Sequence, residues 1–339
     1  MMHKSKAISL VQVISAFFII NYHTGRLAIP VLSNTAKFGF VFNTVFVFLS
    51  GYLITKSFSK SEKVSFRNFI YKRINRVYPS LHIALFFVSI YLLSINHFIN
   101  LKSALFSAAG IGYFISNGEI FGGNHLWFVS VILLCYLLFI PTYNAIQNYP
   151  YQFFSVTVGV FIIIAFLKYG SLDGIYNKVS SEVIFRFLYH YIVFSIAIFM
   201  GLKSIKNNRE ILTSKKYILL FIVFFPLYVF LRLNSSLSIF VIASALIASI
   251  SLISIILLSY PFVKNQVSPI MFFAPITYEL YLIHLPVIGV VNIFFHGKII
   301  GYFIVFITSI FLAYLILILS KPYSRLTKRC TEWLLRCAS

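Results

Sequence analysis

Long apolar stretches recur along the whole chain, and they constrain its fold more than any other feature. A membrane-spanning helix needs about 20 mostly apolar residues. Ten stretches approach that length: 7–23, 38–56, 79–98, 126–144, 151–168, 184–202, 217–233, 237–259, 271–295 and 299–320. Their apolar runs are continuous, whereas the strands of a membrane β-barrel alternate in polarity. The pattern predicts an all-α polytopic membrane helix bundle with about ten transmembrane helices.

The composition agrees with this prediction. Apolar residues make up 60% of the 339 residues and charged residues 10%, whereas a soluble domain averages about 45–50% and about 25%. A soluble globular protein and a disordered chain are therefore both excluded. The sequence shows no soluble insertion, internal repeat or low-complexity linker. We therefore interpret residues 1–339 as one membrane domain, with spans over about 7–320 and a basic tail over 321–339.

The charges predict an orientation. The chain has 28 Lys and Arg against 7 Asp and Glu, a formal charge of +21. If the N-terminus lies inside, 20 of the 28 basic residues fall on the cytoplasmic side and 8 on the outer side, in agreement with the positive-inside rule. We therefore expect both termini in the cytoplasm and anionic membrane lipid as the partner of the basic charge. No nucleic-acid partner is needed to explain it.

Two sequence features bear on the number of spans and on disulfide or metal sites. Residues 104–115 are apolar but too short to span, so we expect an interfacial or re-entrant piece in the outer loop 99–125. The 3 cysteines form no recognisable framework, so neither a disulfide nor a metal site is predicted.

Ionisable residues at membrane depth are costly, and each is therefore a candidate site residue. His23 ends the first stretch in IINYHTGR, and a histidine can take a proton from a hydroxyl group near neutral pH. On this interpretation His23 is the general base for a sugar alcohol. The alternative is a histidine that is satisfied at the interface beside Asn21 and Tyr22.

Arg73 and Arg76 lie in YKRINRVYPS, at the cytoplasmic mouth of the third stretch. Residues three apart share a helix face, and two guanidinium groups suit a phosphate or diphosphate. The alternative is ordinary positive-inside flanking of the span. Pro79 is expected to start the spanning helix, because proline is tolerated in the first turn.

Other candidates have both a packing and a functional interpretation. Ser50, Gly51 and Tyr52 lie within the second stretch, where glycine permits close helix packing or admits a ligand. His125 and Trp127 begin the fourth stretch, where tryptophan is also common as an interfacial belt residue.

The stretch TYELYLIHLPV contains Glu279, Tyr281 and His284. Tyr281 and His284 are three residues apart and share a helix face. Pro286 is expected to kink the helix and to free a backbone carbonyl near His284. A buried glutamate beside a kink favours a functional or helix-pairing role.

These pieces occur in a characteristic order: a histidine at the end of helix one, FVFLSGYLI, KRINRVYP, HLWFVSVILLCYLL and YELYLIHLPV. The order resembles membrane-bound acyltransferase family 3 over about residues 7–320. Members move an acyl group, usually acetyl, from cytoplasmic coenzyme A to a sugar hydroxyl on the outer face. Their products include O-acetylated lipopolysaccharide O-antigens, capsules and exopolysaccharides.

The resemblance implies a role for several residues. His23 is the expected catalytic histidine, and Arg73 and Arg76, with nearby Lys72, are the expected coenzyme A phosphate ligands. Ser50, Gly51 and Tyr52 match the family's SGF/SGY stretch, expected beside the pantetheine arm. Asn21, His125, Trp127, Glu279, Tyr281 and His284 are candidates for substrate contact or structure. Acetyl-CoA is the expected donor, a glycan or lipid-linked glycan the expected acceptor, and the bacterial inner membrane the expected location.

Two positions depart from the family pattern. Many members carry Arg or Lys eleven residues before the helix-one histidine, where this chain has Gln12. Many also carry paired carboxylates after HLW, whereas HLWFVSVILLCY has none. A positive charge at position 12 is therefore missing or supplied elsewhere, and Glu279 is a candidate to replace the lost acid.

Other activities remain open at this point. Transfer of succinyl or another acyl group by the same fold is compatible with every residue above. A polysaccharide polymerase or flippase is disfavoured because the outer loop 99–125 holds only Lys102 as a basic residue. A secondary transporter is disfavoured because its usual repeats are missing.

Overall fold

The computed structural model describes residues 2–24, 38–60, 65–94, 99–115, 120–121, 123–169, 178–208, 211–234, 239–295 and 299–337. Within these ranges the chain is helical and contains no β-strand, which confirms the predicted all-α class. The described α-helices are α1 (Met2–Thr24), α2 (Gly39–Phe58), α3 (Phe66–Ser94), α4 (Leu101–Ala108), α5 (Gly112–Ile115), α6 (Trp127–Leu137), α7 (Phe139–Asn148), α8 (Pro150–Tyr169), α9 (Lys178–Lys206), α10 (Lys216–Asn234), α11 (Ile239–Val263), α12 (Thr277–Phe295) and α13 (Ile299–Cys337).

The described residues of each of the ten apolar stretches fall mainly on one or two of these helices, and residues 95–98 and 237–238 lie outside the described ranges. Among the described residues, 7 helices are long and apolar enough to cross a membrane, and the pair α6 and α7 passes the same test when counted as one broken span. The remaining two stretches are the shorter apolar helices α8 and α10. The chain is therefore a multi-pass helical membrane protein, as the apolar stretches predict.

The third span differs from its prediction. Helix α3 begins at Phe66 and contains Pro79 in its interior, so the expectation that Pro79 starts the helix was wrong. Proline removes one helical hydrogen bond, but neighbouring groups commonly satisfy the freed backbone in membrane helices. Close to Pro79, the Tyr278 hydroxyl donates to the carbonyl of Val77 at 3.2 Å and joins α12 to α3. Arg73 and Arg76 consequently belong to the same continuous helix as the span.

Two further helix boundaries differ from those of the predicted spans. The fourth stretch is broken at Leu138, between α6 and α7. The last helix, α13, passes through Pro322 and continues beyond the predicted end of the span at residue 320. Residues 104–115 form the short helices α4 and α5, which are too short to span, as their length predicts.

The described residues form two compact units, each assembled from separate parts of the sequence. The first contains the described residues of 2–24, 38–60 and 138–274, and the second those of 65–137 and 275–337. The interpretation of the whole chain as one membrane domain stays a prediction.

In the first unit, α2 packs against α1, α9 and α11. Its contact with α9 is close because both helices present small residues. A Cβ atom at Gly51 would lie 2.7 Å from the carbonyl oxygen of Phe194 and 3.0 Å from the Cβ of Ala197. A Cβ atom at Gly201 would lie 2.9 Å from Thr55. Small residues four apart on both helices thus let the two backbones approach.

Replacement of Gly51 therefore tests this packing. We expect Gly51→Leu to destabilise the fold by about 1–3 kcal/mol or more, because the new side chain meets the α9 backbone rather than a movable side chain. The measurement is the melting temperature and the monodisperse fraction of detergent-purified protein. Gly159→Leu is the matched control, because a Cβ atom there meets nothing within 4 Å. Equal stability of the two variants would contradict the packing assigned to Gly51.

In the second unit, α3, α12 and α13 pack together, and α6 contacts α3. The short helices α4 and α5 contact α3 and α6 respectively. This unit holds Arg73, Arg76, His125, Glu279 and His284, whereas His23 belongs to the first unit.

Candidate functional site

His23 lies in the last turn of α1 and is partly exposed. Its ring contacts that of Tyr22, with centroids 4.8 Å apart. The helix ends at Thr24, whose hydroxyl donates to the carbonyls of Ile20 at 3.1 Å and Asn21 at 3.3 Å. These bonds satisfy two carbonyls at the helix end and hold the terminal turn that carries His23. The side chain of Asn21 itself is buried.

Gln12 shares the α1 face of His23. Eleven residues correspond to about three helical turns, so the two side chains emerge on one side, about 16 Å apart along the axis. Gln12 is only partly exposed. The residue that departs from the family pattern therefore keeps the position, but not the charge, of the usual basic residue.

Ser50, Gly51 and Tyr52 lie in the middle of α2. Tyr52 is only 1% exposed, and its hydroxyl donates to the Oγ of Ser204 on α9 at 3.2 Å. The ammonium group of Lys56 lies 5.3 Å from the centre of the Tyr52 ring. Gly51 and Tyr52 thus have the helix-packing role, and a contact with the donor stays a prediction.

Arg73 is held by aromatic rings on the second unit. Its guanidinium carbon lies 5.4 Å from the Phe69 ring centre and 6.0 Å from that of Tyr136. Such cation–π contacts use the flat faces of the guanidinium and leave its N–H edge for an anion. The buried Nε of Arg73 has no hydrogen-bond partner in the described part of the chain. Arg76 and Lys72 are exposed.

Ser80 extends this face of α3. Positions 73, 76 and 80 follow the i, i+3, i+7 pattern of one helix face. The Ser80 hydroxyl donates to Oε1 of Glu279 at 2.7 Å, and Glu279 is only 5% exposed. We call this set, Arg73, Arg76, Ser80 and Glu279, the α3 seam. Sequence reasoning singled out its charged members but missed Ser80, which follows Pro79 and carries no motif of its own.

The second unit also brings His125 to Tyr281 and His284, which the sequence already placed on one helix face. His125, Tyr281 and His284 are all buried, and the centroids of the two histidine rings lie 5.0 Å apart. The Tyr281 hydroxyl donates to the carbonyl of His125. We call these three residues the histidine cluster.

The expected effect of Pro286 accounts for one bond of the histidine cluster. Proline has no N–H for the carbonyl four residues earlier, which is that of Leu282. That carbonyl lies 3.0 Å from Nε2 of His125, which donates to it. The carbonyl freed by Pro286 is thus used to hold His125 against α12.

His284 is oriented by its own helix. Its Nδ1 donates to the carbonyl of Tyr281 at 2.8 Å. Trp127, beside the cluster in sequence, is partly exposed and its ring lies 6.1 Å from that of Tyr113.

A groove of about 540 Å³ follows the opposite face of α3. Its lining includes Arg67, Tyr71, Tyr78, His82 and Tyr323. Nε2 of His82 donates to the carbonyl of Ala108 at 3.0 Å, so in a neutral ring Nδ1 accepts from the Tyr323 hydroxyl at 2.9 Å. His82 therefore joins α3 to α13 and to the end of α4, which is a structural role.

The family described as acyltransferase domain matches residues 5–318, nearly the whole chain. The chain belongs to acyltransferase family 3. No curated protein and no solved structure matches it. The resemblance of the motifs is thereby confirmed, and this family member is a multi-pass membrane acyltransferase.

An acyltransferase needs a site for its activated donor and a group that activates the acceptor. Arg73, whose N–H groups can bind an anion, is chemically suited to the donor site. His23, in the last turn of α1, is suited to activating the acceptor. The site residues themselves stay predictions.

Proposed function

We propose that this protein moves an acetyl group from cytoplasmic acetyl-CoA to a sugar hydroxyl of a surface polysaccharide. The observation that carries the proposal is Arg73 on α3. Its guanidinium is stacked on two aromatic rings, and its buried Nε has no hydrogen-bond partner among the described residues. Within an acyltransferase family, a guanidinium prepared in this way suits the phosphates of coenzyme A.

In this reaction Arg73, Arg76 and Lys72 bind the phosphates of the donor. Arg73 offers its N–H edge, whereas the exposed Arg76 and Lys72 add positive charge. The pantetheine arm then leads into the bundle.

The acceptor is activated by His23. The imidazole takes the proton of the sugar hydroxyl, and the oxygen attacks the thioester carbonyl. The C–O bond forms, the C–S bond breaks, and the coenzyme A thiolate leaves and is protonated by the imidazolium or by water. Hydrogen-bond donors near the developing oxyanion lower the barrier further, and Asn21, Asn124 and Trp127 are unranked candidates. Tyr281, expected from the sequence as a fourth candidate, donates its hydroxyl proton to the carbonyl of His125 instead.

The proposed location is the bacterial inner membrane, with both termini in the cytoplasm. The distribution of Lys and Arg supports this orientation, since 20 of 28 fall on the cytoplasmic side. It places Arg73 on the side of coenzyme A and His23 on the side of the glycan. The donor then delivers its acyl group without crossing the membrane.

Three alternative functions stand beside this proposal. Transfer of succinyl or another acyl group shares every residue of the proposal and differs only in the donor. Polymerase, flippase and transporter activities are disfavoured by membership of an acyltransferase family.

The test is deletion of the gene, followed by proton NMR and mass spectrometry of the surface polysaccharide. We expect loss of an acetyl signal at unchanged chain length, restored by the wild-type gene. A succinyl signal that is lost instead identifies the other acyl donor. A change in chain length with acetylation intact contradicts the proposal and indicates polymerisation or export.

A further inference from the structure

Glu279 is a buried carboxylate with one oxygen left for a ligand. It is 5% exposed, and its Oε1 accepts from Ser80 at 2.7 Å. Its Oε2 is also buried and has no hydrogen-bond partner within the described residues. Buried polar atoms are nearly always hydrogen-bonded, and each exception requires an explanation.

A purely structural role does not account for this oxygen. Glu279 lies in the first turn of α12, where the helix dipole favours a negative charge. The hydroxyl of Ser80 joins it to α3. The bond from Ser80 uses Oε1, whereas a carboxylate accepts about four hydrogen bonds through its two oxygens. Oε2 is therefore an acceptor that the described structure leaves unused.

The α3 seam relates this acceptor to Arg73. Arg73 and Ser80 are seven residues apart on one face of α3, which is about 10 Å along the axis. The buried Nε of Arg73 likewise has no hydrogen-bond partner in the described ranges. The seam thus offers a cation at one end and a hydrogen-bond acceptor at the other, about two helical turns deeper in the span.

We propose that Oε2 of Glu279 accepts a hydrogen bond from an amide N–H of the pantetheine arm of coenzyme A. The proposal rests on the proposed function, since it takes Arg73 as the phosphate ligand. Pantetheine is an extended chain that starts at the diphosphate and carries two amide N–H groups and a hydroxyl. In an apolar helix bundle such donors need buried acceptors, because leaving them unpaired is costly. Glu279 is a binding residue in this scheme.

The experiment measures binding of two ligands to purified full-length protein in nanodiscs by calorimetry. One ligand is coenzyme A, and the other is its phosphoadenosine diphosphate part, which lacks pantetheine. We expect Glu279→Leu to weaken coenzyme A about tenfold or more, the usual effect of losing a hydrogen bond to a charged group. Binding of the truncated ligand is expected to stay within twofold of wild type.

Two further variants keep the result interpretable. Glu279→Gln is expected to bind coenzyme A more tightly than Glu279→Leu but less tightly than wild type, because its amide oxygen keeps the hydrogen bond without the charge. Asn292→Leu is the matched control, since it also removes a buried, unbonded polar atom from α12. It is expected to bind both ligands as wild type does.

The outcomes separate this inference from the proposed function. Wild-type protein that binds neither ligand contradicts both proposals. Wild-type protein that binds both, with Glu279→Leu unchanged for coenzyme A, leaves the proposed function standing and overturns the role of Glu279. Equal weakening of both ligands by Glu279→Leu, or the same loss in Asn292→Leu, also overturns it, because a pantetheine contact affects only the longer ligand.

Discussion

We expect His23→Ala to lower the acyl-transfer rate by about 10²–10⁴-fold, the usual contribution of a positioned general base. The proposed role requires the imidazole nitrogen to remove the proton of the acceptor hydroxyl, and alanine has no atom for this task. His23 is partly exposed in the last turn of α1, so the substitution leaves no large cavity. Acetyl content of the polysaccharide in complemented deletion cells, together with the rate of purified protein, measures the effect.

Tyr22→Phe is the control for this variant. Tyr22 contacts His23 through its ring, and phenylalanine keeps the ring while losing the hydroxyl. We expect acetylation to stay near wild type in Tyr22→Phe. Wild-type acetylation in a folded His23→Ala protein would remove His23 from the mechanism and return it to the structural interpretation.

The double variant Arg73→Ala/Arg76→Ala is expected to raise KM for acetyl-CoA by about a hundredfold or more. Charge-assisted hydrogen bonds to phosphate contribute about 1.5–3 kcal/mol each, and every 1.4 kcal/mol corresponds to a factor of ten. Arg73→Lys is expected to recover only part of the affinity, because lysine lacks the planar fork and stacks less well on Phe69 and Tyr136. Steady-state kinetics with varied acetyl-CoA measure both variants.

Arg67→Ala is the matched control for the arginine pair. It removes a positive charge from the same helix, but Arg67 lines the groove on the opposite face of α3. We expect KM for acetyl-CoA to remain near wild type. An equal rise of KM in Arg67→Ala would mean that general positive charge, rather than the α3 seam, attracts the donor.

Helix positions were largely predictable because spanning length and apolarity are local properties. The described residues of the ten stretches lie mainly on helices, and the pairs three residues apart, such as Arg73 and Arg76, are on helical backbone as expected. Pro79 was misjudged for a physical reason. A lone proline favours the first turn of a helix, but in a membrane the contacts of neighbouring helices can keep it inside one.

Apolarity, charge and the order of the motifs were enough to predict the class of protein, the positions of its helices and the chemistry available at His23, Arg73 and Glu279. The partners of these groups depend on the fold. Ser80 bonds Glu279 across 199 positions, and His125 bonds the Leu282 carbonyl across 157. Helical periodicity relates residues within a few turns, whereas contacts between distant helices depend on how their surfaces pack. For this reason the contacts of Arg73 with the Phe69 and Tyr136 rings, and the unbonded Oε2 of Glu279, could be identified only in the folded chain.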